Sequence, residues 1–158
     1  MNLELTTRCP LHCPQCYVSL NNGREMPLDT ALYWIRDAAD AVVKQVNLSG
    51  GETLCYPHLT ELIRECHKCG LDSNIALSGA YVTEEKLREF IDAGVTRIFV
   101  SLNGSTKEVN EKTLDDMRFP FETCPGDWRA EGEGRGKESP MPDLPEAKRG
   151  CKSRPPAP

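Results

Sequence analysis

"LELTTRCPLHCPQCY", residues 3–17, joins a short alternating run to a loop that is rich in cysteine. The run over residues 3–7 predicts a first β-strand. Cys9, Cys13 and Cys16 follow it with the spacing C-x3-C-x2-C. Because α/β proteins place their sites at the carboxyl ends of parallel strands, this arrangement predicts a functional site directly after the first strand.

The order of strand, loop and helix repeats along residues 1–104. Apolar residues at helical spacing predict helices over 29–43, 58–70 and 83–94, and β-rich runs predict strands over 45–50, 73–79 and 97–104. A fourth helix is predicted over 105–117. Strands that alternate with helices predict a parallel sheet with right-handed crossovers. An open or closed α/β barrel and a doubly wound sheet both fit this order.

Individual residues predict where the helices begin and end. We expect the apolar face of the first helix to extend through Val42 and Val43. Thr83 is a predicted N-cap of the third helix. Gly70 and Gly94 are predicted to end the second and third helices, because glycine readily adopts the left-handed conformation that terminates a helix.

Length, charge and terminal sequence limit the classes of function. The chain has 158 residues, eight cysteines and a formal net charge of −5, which suit one domain and argue against a nucleic-acid partner. It has neither an apolar run long enough for a membrane span nor the features of a signal peptide. We therefore expect a cytoplasmic protein, in which clustered cysteines bind metal or do chemistry.

The composition changes after about residue 117. Residues 119–158 contain eight of the twelve prolines and five of the twelve glycines, without apolar periodicity. Such a segment buries too little apolar surface to offset the entropy of ordering the chain. We predict a core domain over residues 1–118 and a disordered tail over residues 119–158.

Two kinds of metal site compete for the three cysteines. A 4Fe-4S cluster suits thiolate ligands, and three cysteines leave one of its irons open for a small molecule. A structural zinc site needs four ligands, usually in two separated pairs. The alternative is therefore a non-catalytic zinc-binding module, in which Cys66 or Cys69 joins Cys9, Cys13 and Cys16.

A glycine pair and a glutamate follow the second predicted strand in "LSGGET", residues 48–53. Gly50 and Gly51 have no side chains, so that the backbone can approach a ligand closely. Glu52 offers a carboxylate to a cationic group. An ordinary glycine turn after a strand is the structural alternative.

"CPLHCPQC" (9–16) together with "GGE" (50–52) resembles the radical S-adenosylmethionine (SAM) superfamily, and the resemblance extends over residues 1–115. It implies a partial (β/α) radical SAM barrel of about four parallel βα units. It also implies a 4Fe-4S cluster on Cys9, Cys13 and Cys16, with SAM on the fourth iron. The residues that the resemblance places against SAM are Tyr17, Gly50, Gly51, Glu52, Ser101 and Asn103.

The resemblance implies that SAM is reductively cleaved to a 5′-deoxyadenosyl radical, which abstracts a hydrogen atom from a substrate. The chain is most similar to peptide-modifying maturases, which implies a peptide or small-molecule substrate and a reducing partner such as flavodoxin or ferredoxin. No residue of this chain receives a catalytic role from the resemblance.

Three features depart from the family pattern. Gln15 stands before the third cysteine, where an aromatic residue is common, and Tyr17 is a candidate substitute. Asn103 replaces the aspartate of an "SLDG" segment. The family barrel has more βα units than the four visible here, so we expect an incomplete and poorly active enzyme.

Overall fold

The computed structural model describes residues 1–18, 23–79, 81–102 and Val109. Apart from Val109, the predicted fourth helix lies outside the described residues, as do Asn103 and the tail from residue 119, so those predictions stay untested. The strands are β1 (Asn2–Thr6), β2 (Gln45–Gly50), β3 (Asp72–Leu77) and β4 (Arg97–Val100). The helices are α1 (Leu28–Asp40), α2 (Leu59–Lys68) and α3 (Glu84–Asp92).

The four strands form one parallel sheet in the order β1-β2-β3-β4, with a helix between each consecutive pair. The predicted α/β architecture, with four parallel strands that alternate with helices, is therefore confirmed. A doubly wound sheet requires a reversal of the strand order. Since the described strands follow their sequence order without reversal, the sheet matches part of a barrel.

The helices cover one face of this sheet. Alternate strand residues such as Leu5, Leu48 and Ile75 are fully buried, and they pack with helix residues such as Leu62 and Phe90 in one apolar core. Side chains at the intervening strand positions point to the opposite face, because successive residues of a strand alternate between faces. We call this second side of the sheet the open face.

The second and third helices end where the sequence predicts, whereas the first ends early. Gly70 and Gly94 have positive φ angles of 69° and 89°. After α1 it is Val42 that turns left-handed, with a φ of 59°, and its side chain is 82% exposed. The Val43 N–H donates to the Ala38 carbonyl at 2.9 Å and closes the helix. The prediction that Val42 continues the buried face of this helix is therefore wrong.

The described helices are short, and α3 has a side-chain cap at its N-terminus. They contain 13, 10 and 9 residues, and none of them is long and apolar enough to cross a bilayer. Thr83 caps α3 as predicted, because its side-chain oxygen accepts a hydrogen bond from the Lys86 N–H at 3.2 Å. Each helix therefore serves to return the chain to the amino end of the next parallel strand.

Candidate functional site

The loop after β1 and the loop after β2 are hydrogen-bonded to each other at the carboxyl edge of the sheet. The Gly51 N–H donates to the Thr6 carbonyl at 2.7 Å, and the Glu52 N–H donates to the Arg8 carbonyl at 2.8 Å. These backbone bonds continue the pairing of the two strands beyond their ends. They hold the cysteine loop beside the glycine pair.

A cavity of about 310 Å³ lies between these loops. Most of the predicted site residues line it: Cys9, Cys13, Cys16, Tyr17, Gly50, Gly51 and Ser101. Gln15 and Ser78 line it as well. We call this the cysteine pocket. The structure therefore brings the predicted residues together, except Glu52, which lies outside the lining, and Asn103, which is not among the described residues.

The two glycines allow the two loops to approach each other closely. A Cβ atom at Gly50 would lie 2.5 Å from the Thr6 carbonyl oxygen. A Cβ atom at Gly51 would lie 2.5 Å from the Arg8 carbonyl oxygen and 3.0 Å from the Cys9 Cβ. The missing side chains thus make room for the cysteine loop itself, whereas the sequence suggested room for a ligand. Because both residues also line the pocket, the two roles are compatible.

The Glu52 carboxylate is bound within the protein. Its side chain is buried, and one oxygen accepts hydrogen bonds from the Ser78 N–H at 3.0 Å and from the Ser78 hydroxyl. The other oxygen accepts from the Leu54 N–H at 3.1 Å and caps the short 3-10 helix Thr53–Cys55. Three of the roughly four acceptor positions of a carboxylate are therefore occupied by the protein. The sequence had instead suggested that this carboxylate binds a cationic group of a ligand.

Sequence reasoning missed Ser78. It follows β3 directly and therefore lies at the same carboxyl edge as the other site residues. A signal for this residue was present in the sequence, because "LSG" at residues 77–79 repeats the "LSG" at residues 48–50, which ends the neighbouring strand β2. Ser78 links the ends of these two strands through Glu52.

Tyr17 lies beside the open face of β1. Its side chain is 75% exposed, and partial burial together with the negative charge of Glu4 raises the pKa of its phenol. Glu4 occupies a strand position between the buried residues Leu3 and Leu5, on the open face. The structure therefore places Tyr17 where the cysteine pocket meets the open face.

The electrostatic environment of Cys9 favours the neutral thiol. Burial raises its pKa most, the negative charges of Glu52, Cys13 and Cys16 add to this increase, and a backbone hydrogen bond at Leu11 opposes it. A thiol must lose its proton to become a metal ligand. Metal binding at this loop would therefore displace protons and remove mutual repulsion among the thiolates.

The topology separates the second pair of cysteines from the first. Cys66 is fully buried on the core side of α2, and burial raises its pKa to about 12. Cys69 follows α2 and precedes β3, so it lies at the amino edge of the sheet. A strand of this length spans about 17–20 Å. Neither cysteine is therefore positioned to complete a zinc site with Cys9, Cys13 and Cys16.

The donor set fits an iron–sulfur cluster. Three sulfur donors surround one cavity, and each thiolate of such a cluster binds a different iron, so that the sulfur atoms need not converge on one point. Within the ranges that the structure describes, no group of three or more His, Cys, Asp or Glu residues is arranged to hold a single metal ion. The three thiols that line this cavity thus supply the donor set that a cluster needs.

Comparison with known proteins identifies relatives of this chain. A sequence model of the radical SAM superfamily matches residues 3–120. A PqqA peptide cyclase of Ruegeria pomeroyi is 40% identical over 116 residues, which are 71% of this chain and 31% of that protein. A PqqA peptide cyclase of Bradyrhizobium diazoefficiens is 37% identical over 105 residues, or 65% of this chain and 28% of that protein. The chain thus spans about a third of the length of these curated relatives.

Solved structures share the fold. SuiB of Streptococcus suis bound to the precursor peptide SuiA matches 72% of this chain and 26% of its own, with a TM-score of 0.61 at 20% identity. BtrN in complex with AdoMet and 2-DOIA matches 63% of this chain and 43% of its own, with a TM-score of 0.57 at 17% identity. The family match covers most of the sequence, including the cysteine loop and the glycine pair, and the chain therefore belongs to the radical SAM superfamily.

Proposed function

We propose that this chain contains the cluster-binding and SAM-binding part of a radical SAM enzyme that modifies a peptide. One observation carries the proposal: the three cysteines and the glycine pair, which lie about forty residues apart in the sequence, line one pocket at the carboxyl edge of the sheet. The names of the PqqA peptide cyclases and the precursor peptide bound to SuiB support a peptide as the substrate.

In this proposal Cys9, Cys13 and Cys16 hold three irons of a 4Fe-4S cluster. When bound, the cluster and SAM supply a one-electron cleavage that yields a 5′-deoxyadenosyl radical, which takes a hydrogen atom from the substrate. The protein binds and orients these groups. We assign the polar end of SAM to the backbone at Gly50 and Gly51.

The other residues that were predicted to contact SAM are assigned separate roles. We assign Ser101, which lines the pocket after β4, to the ribose, and Tyr17 to the side of the pocket toward the open face. Asn103 stays a predicted contact outside the described residues. We assign Glu52, which is buried and lies outside the lining of the pocket, to holding the glycine loop against Ser78.

The proposal also requires a reductant and a compartment that keeps cysteines reduced. A low-potential electron carrier such as flavodoxin or ferredoxin would supply the electron. The cytoplasm satisfies the second requirement, because its thiol systems keep cysteines reduced.

Anaerobic reconstitution with iron and sulfide tests this proposal. We expect a brown protein with broad visible absorption, and we expect that replacement of Cys9, Cys13 or Cys16 by Ala prevents stable cluster assembly. Cys66→Ala is the matched control, since this thiol is buried away from the pocket and its loss should leave the iron content unchanged. A colourless protein with bound zinc, or equal iron loss in the control, would contradict the proposal.

A further inference from the structure

The outer part of the cysteine loop is a tight turn over residues 13–16. The Cys16 N–H donates to the Cys13 carbonyl at 2.9 Å, which is the bond between the first and fourth residues of a β-turn. Pro14 occupies the second position of this turn, where the fixed φ angle of proline is favoured. The loop therefore contains a turn that begins and ends with a cysteine.

The two ends of this turn meet the distance requirement for a disulfide bond. The end residues of a β-turn have Cα atoms within about 7 Å of each other, and disulfide-linked Cα atoms lie about 4.4–6.8 Å apart. Both cysteines are thiols in the structure, with Cys16 exposed and Cys13 half-buried. A small oxidant can therefore reach Cys16, and Cys13 is the thiol that the turn holds beside it.

The third cysteine of the loop is held elsewhere. A Cβ atom at Gly51 would lie 3.0 Å from the Cys9 Cβ, so Cys9 packs against the glycine loop. The Glu52 N–H donates to the Arg8 carbonyl at 2.8 Å and fixes the backbone directly before Cys9. Cys9 is thus fixed to the neighbouring loop, whereas the other two cysteines are fixed to each other by their turn.

We propose that Cys13 and Cys16 form a reversible disulfide bond when the protein carries no cluster, with glutathione disulfide as the oxidant. The Cys16 sulfur loses its proton and attacks one sulfur of glutathione disulfide, whose S–S bond breaks and releases one glutathione. The Cys13 sulfur then loses its proton and attacks the Cys16 sulfur, which releases the second glutathione. The two glutathiones take up the two protons and the two electrons that the cysteines lose.

This disulfide bond would regulate the loading of the cluster. It removes two of the three proposed iron ligands, so the inference rests on the proposed function for its consequence. The bond is reversible by a thiol reductant, whereas unpaired thiols can be oxidised further to sulfinic acid, which is irreversible in most proteins. Oxidation would therefore store the loop in a form that becomes competent again when the compartment is reducing.

Mass spectrometry of the cluster-free chain tests the inference. The protein is equilibrated with mixtures of reduced and oxidised glutathione, trapped with N-ethylmaleimide, unfolded and cleaved with trypsin. Arg8 and Arg24 delimit one tryptic peptide, residues 9–24, that contains all three cysteines. We expect this peptide to lose two hydrogens and to carry one maleimide, on Cys9. A main product in which Cys9 is disulfide-bonded, or in which Cys16 keeps glutathione, would overturn the inference.

A second cysteine pair with the same spacing is the matched control. Cys66 and Cys69 lie at and after the end of α2, and Cys66 is fully buried. Side chains three residues apart on a helix have Cβ atoms about 5–6 Å apart, which exceeds the roughly 3.8 Å of a disulfide bond. This pair should stay reduced at the glutathione ratio that oxidises half of the loop pair. Equal oxidation of the two pairs would overturn the inference.

Pro14→Gly tests the contribution of the turn. Glycine loosens the turn in the reduced protein, so the equilibrium constant for forming the disulfide bond should fall about two- to fivefold. The same glutathione titration measures this constant, and Cys66→Ala should leave it unchanged. An unchanged constant in Pro14→Gly would count against the inference, because the turn would then not be what brings the two thiols together.

Cluster transfer separates this inference from the proposed function. A preloaded 4Fe-4S carrier protein serves as the iron donor under anaerobic conditions, so that no free sulfide reduces the disulfide bond. We expect the reduced chain to take up iron, the oxidised chain to lose this uptake, and a phosphine reductant to restore it. Equal uptake by both forms would contradict the inference alone. A reduced chain that takes up no iron, but still forms the disulfide bond, would contradict the proposed function instead.

Discussion

At the scale of single residues, the hydrogen bonds between Glu52 and Ser78 connect the loops that form the cysteine pocket. Removing the Ser78 hydroxyl deprives a buried carboxylate of one donor, and such bonds to charged groups contribute about 1.5–3 kcal/mol. Ser78→Ala should therefore lower the free energy of unfolding by about this amount. It should also weaken SAM binding while the cluster remains, because the glycine loop loses its support.

Urea unfolding and SAM titration of the reconstituted protein measure these two effects. Ser49→Ala is the control for stability, since the Ser49 hydroxyl makes only a long bond of 3.4 Å to the Leu3 carbonyl. It should change the free energy of unfolding much less. Equal losses in the two serine variants would show that Glu52 does not depend on Ser78.

Burial also separates the cysteines by reactivity. Cys16 is exposed, whereas Cys66 is fully buried and its pKa is raised to about 12. Since the thiolate is the reactive form, iodoacetamide at mildly alkaline pH should modify Cys16 in the native protein without cluster, and should spare Cys66 until the protein is unfolded. Peptide mass spectrometry measures both sites. Modification of Cys66 at the rate of Cys16 would contradict its placement in the core.

Some of these residue contacts could be predicted and others could not. The sequence was enough to predict that the cysteines and Gly50 lie at one edge of the sheet. They come at the ends of two parallel strands, and parallel strands share a carboxyl edge. The occupant of the space beside Gly51 could not be predicted, since the sequence does not reveal that the Arg8 carbonyl lies opposite. Ser78 was likewise assigned no role, because its partner is 26 residues away in the sequence.

At the scale of elements, the three helices share one C-terminal hydrogen-bond pattern but differ in the residue at its left-handed position. Gly70 and Gly94 take this position after α2 and α3, and Val42 takes it after α1. A β-branched residue is strained there, at a cost of roughly 1–2 kcal/mol. Val42→Gly should therefore stabilise the protein by about 0.5–1 kcal/mol, after the added flexibility of the unfolded chain is subtracted.

The midpoint of urea unfolding measures this gain. Ala41→Gly is the matched control, because Ala41 has a φ of −79° and benefits from no left-handed freedom. That variant should instead destabilise the protein by about 0.5–1 kcal/mol. Destabilisation by Val42→Gly would show that the end of this helix does not have the described conformation.

The same comparison explains why one helix end was mispredicted. Glycine at residues 70 and 94 is a direct signal for helix termination, so both ends were predicted from the sequence. Val42 continues the apolar period of the first helix and carries no such signal. The tertiary structure ends the helix there: the Val43 N–H bonds back to the Ala38 carbonyl, and the Val43 side chain packs against the core.

At the scale of the whole molecule, the carboxyl edge of the sheet and its last strand are accessible to solvent. Phe99, Val100 and Leu102 are exposed along and after β4, and Cys16 and Tyr17 are exposed at the pocket. Radical chemistry on a substrate requires that solvent is excluded and that the reacting hydrogen is held close. The described residues alone do not provide such an enclosure. The chain also spans about a third of the length of its curated relatives.

We therefore expect that this chain, reconstituted with a cluster and given dithionite and SAM, forms 5′-deoxyadenosine slowly. We also expect this cleavage to be uncoupled from peptide modification, because a radical formed in an open pocket is quenched before it reaches a substrate hydrogen. Chromatography of 5′-deoxyadenosine together with mass spectrometry of an added peptide measures both quantities. Omission of dithionite is the control and should abolish the product. Rapid cleavage that matches peptide modification one for one would instead mean that the chain encloses its own active site, through residues other than those that leave Cys16 and Tyr17 exposed.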